Sequence, residues 1–117
     1  MIKFVGNPKL LDCCEIVTIQ DVVDYCNDAD YLAVDTETTG LNHIDDKMIM
    51  LQIGDHLTQF VIDTRCVDIE PLRDILEGYT VKILHNVKFD YKFLRQYNIR
   101  LNNVWDTMLT SQVIHCG

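Results

Sequence analysis

No apolar run in this sequence approaches the roughly 20 residues that a membrane-spanning helix needs. The first nine residues, M-I-K-F-V-G-N-P-K, also lack the continuous apolar segment of a secretory signal peptide. Both absences exclude a membrane protein and an exported one. We therefore expect a soluble protein in the cytoplasm that has no membrane partner.

Paired cysteines are absent as well. The five cysteines are odd in number and scattered, and no two of them form a C-x-x-C pair. This spacing excludes a zinc-ribbon site and a disulfide framework, and it favours reduced thiols. The cysteines concerned are Cys13, Cys14, Cys26, Cys66 and Cys116.

Positive charge is scarce, because 10 Lys and Arg face 18 Asp and Glu and give a net charge of −8. That balance argues against nucleic acid as a partner, since phosphate contacts need Lys and Arg. The distribution weakens the objection, because the segment 81–117 carries five of the basic residues and only two acids. An acidic average with one basic segment is compatible with an enzyme whose bound metal ions supply part of the positive charge.

Repeats, low-complexity segments and linkers are also missing, and the 117 residues are 48% hydrophobic. This length and composition predict one domain, spanning 1–117, with a single modest core. Short strands are expected at Ile2–Val5 and at E-I-V-T-I. A helix capped by Thr18 should then cover the sheet.

Beyond these first elements, the pattern predicts the order βββαβαβα. Three strands on short turns should form an antiparallel meander. Two further strands, V-K-I-L-H and N-V-W, follow helices and should lie parallel to the first strand of the meander. The fold class is therefore α/β, with a mixed five-stranded sheet (three antiparallel strands, then two parallel) and flanking helices. A final helix, D-T-M-L-T-S-Q-V-I, should begin at Asp106.

The first strand of the meander, in the stretch Y-L-A-V-D-T-E-T-T-G-L, ends in two carboxylates. Asp35 and Glu37 are two residues apart, so they should emerge on one side of the strand. Like charges this close repel each other, and a hard divalent cation between them relieves the repulsion. Solvation of a strand end is the alternative. Gly40 should permit a tight turn, and Leu41 places an apolar side chain at its rim.

A third carboxylate lies in the helix after the fourth strand of this series. Asp90 shares a helix face with Val87, Tyr91 and Leu94, which we expect to face the sheet. A carboxylate on a core-facing stripe needs a partner or a function. The alternative is a surface ion pair with a neighbouring lysine, Lys88 or Lys92.

Two stretches resemble motifs of a known superfamily. D-T-E-T-T-G-L resembles the first motif of the DEDD (DnaQ-like) 3′–5′ exonucleases, and H-N-V-K-F-D resembles their second motif, Asn-x-x-x-Asp. The following L-N-N-V-W-D-T-M-L-T-S-Q is similar to family A (polymerase I type) DNA polymerases and to ribonuclease D. The resemblance implies a ribonuclease H-like fold, to which the predicted element order also corresponds.

The resemblance further implies two divalent ions, Mg²⁺ or Mn²⁺, held by Asp35, Glu37 and Asp90. In the scheme of the family, Asp35 bridges both ions, Glu37 binds one and helps to orient the attacking water, and Asp90 completes the site through water. The implied reaction is hydrolysis at the 3′ end of single-stranded DNA, as in proofreading. Ribonuclease D-like trimming of RNA and an inactive nucleic-acid- or protein-binding remnant remain as alternatives.

The same resemblance assigns substrate contacts. Leu41 would wedge against the terminal base, the backbone around Thr38 would position the 3′ end, and Asn86 would be a supporting polar residue. Phe89, Phe93 and Tyr97, spaced by four residues, are either a stacking platform or packing residues, and packing is the favoured interpretation. For His43, Asp45 and Asp46 we favour solvation of a turn over metal binding.

One departure from the family stands out. The third motif, Tyr-x-x-x-Asp or His-x-x-x-x-Asp, does not occur before Gly117, and Asp106 is explained by its predicted role as a helix cap. We therefore expect an incomplete domain with weak or no nuclease activity alone. A polymerase domain or a partner chain would supply the missing motif, and exposed apolar surface should favour self-association.

Overall fold

Seven strands form one mixed sheet in the computed structural model, which describes residues 1–9 and 14–110. Across the sheet the strands lie in the order β2-β1-β5-β4-β3-β6-β7. The elements in chain order are β1 (Ile2–Val5), β2 (Glu15–Ile16), α1 (Ile19–Asn27), β3 (Tyr31–Thr38), β4 (Met48–Gly54), β5 (Gln59–Asp63), a 3₁₀ turn (Glu70–Leu72), α2 (Arg73–Glu77), β6 (Val81–Leu84), α3 (Val87–Arg95) and β7 (Val104–Asp106).

The predicted meander and the two parallel strands are confirmed. β3 pairs antiparallel with β4, and β4 pairs antiparallel with β5. β6 lies parallel to β3, and β7 lies parallel to β6, as strands reached through helical crossovers should. The α/β class with a mixed sheet therefore follows from the pattern of the sequence. β3 lies near the middle of this sheet and carries the first two carboxylates at its end.

The strand count of five was too low. β1 pairs in parallel with β5, with Ile2 opposite Gln59, and β2 pairs in parallel with β1. These strands satisfy backbone groups that β5 would otherwise leave unpaired at the edge of the sheet. The predicted strand E-I-V-T-I contains only two strand residues, Glu15 and Ile16.

The helix ends follow ordinary capping rules. Thr18 caps α1, and Asp21 bonds back to the Thr18 backbone N–H to complete a capping box. The helix predicted at P-L-R-D-I-L-E begins as a 3₁₀ turn with Pro71 in its first turn and ends at Gly78. Residues 107–110 are helical, as predicted for the last helix, and the rest of that helix lies outside the described residues.

The core lies on one face of the sheet. Leu32 and Val34 of β3 are buried there, in one cluster with residues of α1, α2 and α3. The alternating residues of β3, Ala33, Asp35 and Glu37, are directed to the other face, which we call the open face. Within the described part of the chain, no helix is long and apolar enough to span a bilayer.

Candidate active site

The end of β3 presents its two carboxylates as the strand geometry predicts. Asp35 and Glu37 are exposed, and Thr36 between them is buried at 7% exposure. Asp35 Oδ1 accepts the backbone N–H of Thr36 at 2.9 Å. A register shift follows between Glu37 and Thr38, so the strand changes direction directly after the second carboxylate. Both acids therefore leave the strand on the open face.

Asp90 reaches the same strand from α3. Its side chain is 2% exposed, and its Oδ1 accepts a hydrogen bond from the Thr36 hydroxyl. The alternative of a surface pair with Lys88 or Lys92 is wrong, because the buried Asp90 carboxylate bonds to Thr36 and no such ion pair occurs among residues 1–9 and 14–110. Tyr91 was also misplaced, since it is 36% exposed.

The two motifs meet where the Thr36 hydroxyl bonds to Asp90, and this surrounding changes the pKa of Asp90. The pKa of the Asp90 carboxyl is raised to about 6, chiefly by burial; the Thr36 hydrogen bond lowers it, and the negative charges of Asp35 and Asp106 raise it. Asp35 is thus close enough to Asp90 for their charges to interact. In the part of the chain that the structure describes, no three His, Cys, Asp or Glu side chains are grouped tightly enough to hold a metal ion.

The start of α3 is fixed by Asp106. Its carboxylate oxygens accept the backbone N–H groups of Asn86 and Val87, each at 3.0 Å, and that of Met108 at 2.9 Å. Asp106 therefore caps α3 as well as beginning the following helical segment, so the prediction of a capping role is confirmed and extended. Asn86 adopts a left-handed backbone conformation (φ 67°) at this junction.

A cleft of about 250 Å³ lies between α3 and the connection from β3 to β4. Leu41, 86% exposed, contributes to one wall, and Asn86 lines the cleft from the start of α3. Two of the three predicted substrate residues therefore share one cleft. Thr38 does not line it; its hydroxyl donates to the Gly40 carbonyl at 2.6 Å. The full lining is Leu41, His43, Asn86, Lys88, Phe89, Lys92 and Phe93.

Two of the three aromatic residues on α3 also line this cleft. Phe89 is half-buried, and its ring centroid lies 5.0 Å from that of Phe93, which is fully buried. Tyr97 packs against the core cluster and does not line the cleft. Packing is confirmed as the role of Phe93 and Tyr97. The ring of Phe89 is partly accessible and packs on the buried ring of Phe93.

The connection between β3 and β4 is an ordered turn. Asp46 accepts the backbone N–H of Asn42 at 3.0 Å and the hydroxyl of Thr39 at 3.1 Å. The amide of Gln96, at the end of α3, donates to the backbone carbonyls of His43 and Asp46. The turn role predicted for His43, Asp45 and Asp46 is thus confirmed, and Gln96 joins this wall of the cleft to α3.

Gly40 permits the turn because it has no side chain, as predicted. Its φ is not positive, so the backbone conformation is open to other residues. A Cβ at this position would lie 2.4 Å from Asp46 Oδ2. The glycine therefore makes room for the carboxylate that organises the turn.

Comparison with known proteins assigns the chain to a family. The model of the 3′–5′ exonuclease family matches residues 14–117. The chain belongs to this family. DNA polymerase I of Aquifex aeolicus is 41% identical over 85 residues, which are 72% of this chain and 14% of that protein. The chain thus spans about one seventh of this curated relative.

Solved structures share the fold of this exonuclease-family chain. Brucella melitensis NrnC has a TM-score of 0.72 at 24% identity, over 97% of this chain and 52% of that one. The catalytic core of RRP6 from Trypanosoma brucei has a TM-score of 0.77 at 19% identity, over 98% and 31%. RNase D of Trypanosoma brucei, in complex with RNA U12, has a TM-score of 0.72 at 14% identity, over 91% and 37%.

A divalent ion, which one NrnC structure contains as Mg²⁺, fits the donor chemistry of this chain. Carboxylate oxygens are the ligands that Mg²⁺ and Mn²⁺ prefer. The negative charge of Asp35 acts on Asp90, and the Glu37 side chain has no hydrogen bond or ion pair within the described residues. A cation near these groups would offset a repulsion that the protein alone leaves in place.

Four residues at the site were not assigned a role in it from the sequence. Thr36 lies between the two acids of its motif, but its bond to Asp90 spans 54 positions. Gln96 reaches the turn from 50 positions away. Lys88 and Lys92 were read only as partners for Asp90, although their spacing of four residues was a signal that they share one side of α3.

Proposed function

We propose that this chain carries the site at which a 3′–5′ exonuclease removes nucleotides from single-stranded DNA. One observation carries the proposal: the two motifs meet at the end of β3, where Thr36, between Asp35 and Glu37, bonds to Asp90. Asp35 raises the pKa of Asp90, and Thr36 bonds to it. Phe89 of the cleft directly precedes Asp90 in α3, and Leu41 follows Glu37 by four residues.

In this proposal Asp35, Glu37 and Asp90 hold two divalent ions. When bound, such a pair of ions deprotonates water and neutralises charge on the phosphoryl oxygens. Thr36 fixes the rotamer of Asp90 through its hydroxyl, and burial excludes water from that carboxylate. The exposed Asp35 and Glu37 remain accessible to ions and to the scissile phosphate from the open face.

The cleft would receive the terminal nucleotide. Leu41 would pack against the base from one wall, and the accessible ring of Phe89 would offer a stacking surface on the other. Asn86 would donate or accept a hydrogen bond at the start of α3, and the backbone near Thr38 would position the 3′ end. A single strand suits such a site because its bases can unstack.

DNA is the favoured substrate because the relative at 41% identity is a DNA polymerase. RNA is the second candidate, since one structure of similar fold is RNase D in complex with RNA U12 and another is NrnC bound to pGG. Their identities of 14% and 24% are lower, so they weigh less in this choice. The rest of the metal site would come from a polymerase-type protein or a partner chain that covers the open face.

Calorimetric titration of Mn²⁺ tests the metal site. We expect the wild-type chain to bind Mn²⁺ weakly, since the described acids form no tight cluster, and Asp35→Ala to lose that binding. Asp30→Ala, which removes an exposed acid before β3, is the matched control and should bind as the wild type does. Equal binding by all three proteins would contradict the assignment of Asp35.

Cleavage is measured on 5′-labelled DNA and RNA oligonucleotides of one sequence. We expect slow shortening of the DNA from its 3′ end in Mn²⁺, lost in Asp35→Ala and in a chelator. Faster shortening of the RNA would favour the second candidate. Binding of the oligonucleotides without any metal-dependent shortening would identify a binding module instead of a nuclease.

A further inference from the structure

Two lysines stand one turn apart at the edge of the cleft. Lys88 and Lys92 line the same cavity as Leu41 and Phe89, and both are exposed. A separation of four residues places them about 6 Å apart along the axis of α3, on one side of the helix. The two lysines therefore succeed one another along α3, with Lys88 nearer to Asn86 and Lys92 farther from it.

Within the described residues, the charges of these two lysines are not paired with any other group. In residues 1–9 and 14–110 neither of them forms an ion pair or a side-chain hydrogen bond. The other three basic residues of 81–110 do not line the cleft: Lys82 is buried and donates to the Gly78 carbonyl at 2.7 Å, Arg95 is half-buried and Arg100 is exposed. In a chain of net charge −8, two unpaired positive charges thus lie one helical turn apart at the cleft.

We propose that Lys88 and Lys92 bind successive phosphate groups of the single strand whose terminal base occupies the cleft. The strand would run along α3, with its 3′ end near Asn86 and its 5′ side toward Lys92. This inference rests on the proposed function and deepens it, because it assigns the path of the substrate. Phosphate suits the pair because a Lys ammonium is a point charge that pairs with anionic oxygen.

An acidic protein segment is the competing ligand for two lysines. The neighbouring side chains favour nucleic acid, because the ring of Phe89 is accessible between the lysines and Leu41. Bases stack on such rings, whereas Asp and Glu side chains gain nothing from them. The cleft therefore combines the two features that single-strand binding requires, a positively charged edge and an aromatic surface.

The test is the salt dependence of binding to a fluorescent oligo-dT, measured by anisotropy in EDTA so that no cleavage occurs. Each phosphate contact on a single strand contributes about 0.7 to the slope of log K against log salt. The variant K88Q/K92Q should therefore lower the slope by about 1.4. Arg100→Gln removes one positive charge from an exposed position outside the cleft and should leave the slope unchanged.

Each other outcome has a separate meaning. Wild-type binding with an unchanged slope in K88Q/K92Q overturns the phosphate path and leaves the proposed function standing. No binding of oligo-dT by the wild-type chain overturns both. If polyglutamate binds and K88Q/K92Q abolishes that binding while oligo-dT is unaffected, the lysines serve an acidic protein partner. Unfolding curves of all variants confirm that they are folded.

Discussion

The hydroxyl of Thr36 connects the two carboxylate motifs at the level of single residues. It is buried between two exposed acids, and it donates to the buried carboxylate of Asp90 on another element. Burying a carboxylate without a hydrogen-bond donor would destabilise the folded state. The Thr36 hydrogen bond therefore lowers the cost of burying Asp90, but it does not remove the charge conflict, which is the repulsion between Asp90 and Asp35.

The burial of Asp90, together with that conflict, predicts an unusual pH dependence of stability in the metal-free protein. The pKa of Asp90 lies near 6 in the fold and 3.8 is its ordinary value, so the folded state holds the proton more tightly than the unfolded one. Stability should fall as pH rises from about 4 to about 6, and the full cost should persist above pH 6. A pKa difference of about 2 corresponds to a cost on the order of 3 kcal/mol.

Asp90→Asn should remove this cost, because the amide oxygen can still accept the Thr36 hydrogen bond and carries no charge. The measurement is urea unfolding in EDTA between pH 4.5 and 7.5, with Asp30→Asn as the exposed control. Asp90→Asn should gain stability relative to the wild type as pH rises. Parallel curves for the two proteins would show that Asp90 is not the group responsible.

At the scale of elements, Gln96 at the end of α3 bonds to two backbone carbonyls of the β3–β4 turn. Gln96→Ala should lower the free energy of unfolding by about 1 kcal/mol, because two backbone carbonyls lose a side-chain donor at an exposed site. It should also speed proteolysis within residues 42–47 and weaken oligo-dT binding.

Gln20→Ala is the matched control for that experiment. Gln20 is exposed on α1 and bonds only to Asp24, one turn along the same helix. Its loss should leave the turn and the cleft intact. If both variants digest at the same rate and at the same sites, Gln96 does not order the turn.

The local sequence pattern predicted the helices and strands better than it predicted the short strands at the edge of the sheet or the buried side of α3. Alternation in β3 fixed the common side of Asp35 and Glu37, and short turns with helical crossovers fixed the parallel and antiparallel pairing. The two residues of β2 are too few to carry a periodic signal. In α3, Tyr91 and Phe93 both belong to apolar stripes, and of the two only Phe93 is buried.

The site was predictable where it depends on one strand and unpredictable where distant segments meet. Motif resemblance identified Asp90, but its bond to Thr36 and the capping of α3 by Asp106 require knowledge of which elements are neighbours. The roles of Asp35, Glu37, Thr38, Asn86 and Asp90 stay predictions until they are measured. The same holds for the prediction that residues 1–117 form one incomplete domain.

For the whole molecule, the open face of the sheet carries exposed apolar side chains. Trp105 is 56% exposed, Val81 38% and Ile2 57%, and strand register directs all three to the face from which Asp35 emerges. Exposed apolar area of this kind favours association with another surface. The face therefore carries both the carboxylates and the surface that a covering segment or chain would contact.

Self-association of the chain follows from that face. We expect the weight-average mass in sedimentation equilibrium to rise with concentration for the wild type and to fall toward the monomer in Trp105→Glu. Tyr79→Glu is the control, because Tyr79 is 93% exposed in the link between α2 and β6. A wild-type chain that stays monomeric at high concentration would contradict the expectation.

The double capping by Asp106 has a consequence for how the chain acquires its site during synthesis. Translation delivers the N-terminus first, so the backbone N–H groups of Asn86 and Val87 emerge before their acceptor, which lies 20 and 19 positions later. Until Asp106 leaves the ribosome, the start of α3 has no carboxylate to anchor it. The meander and its exposed acids can form earlier, and Asp90 is locked in place only after them.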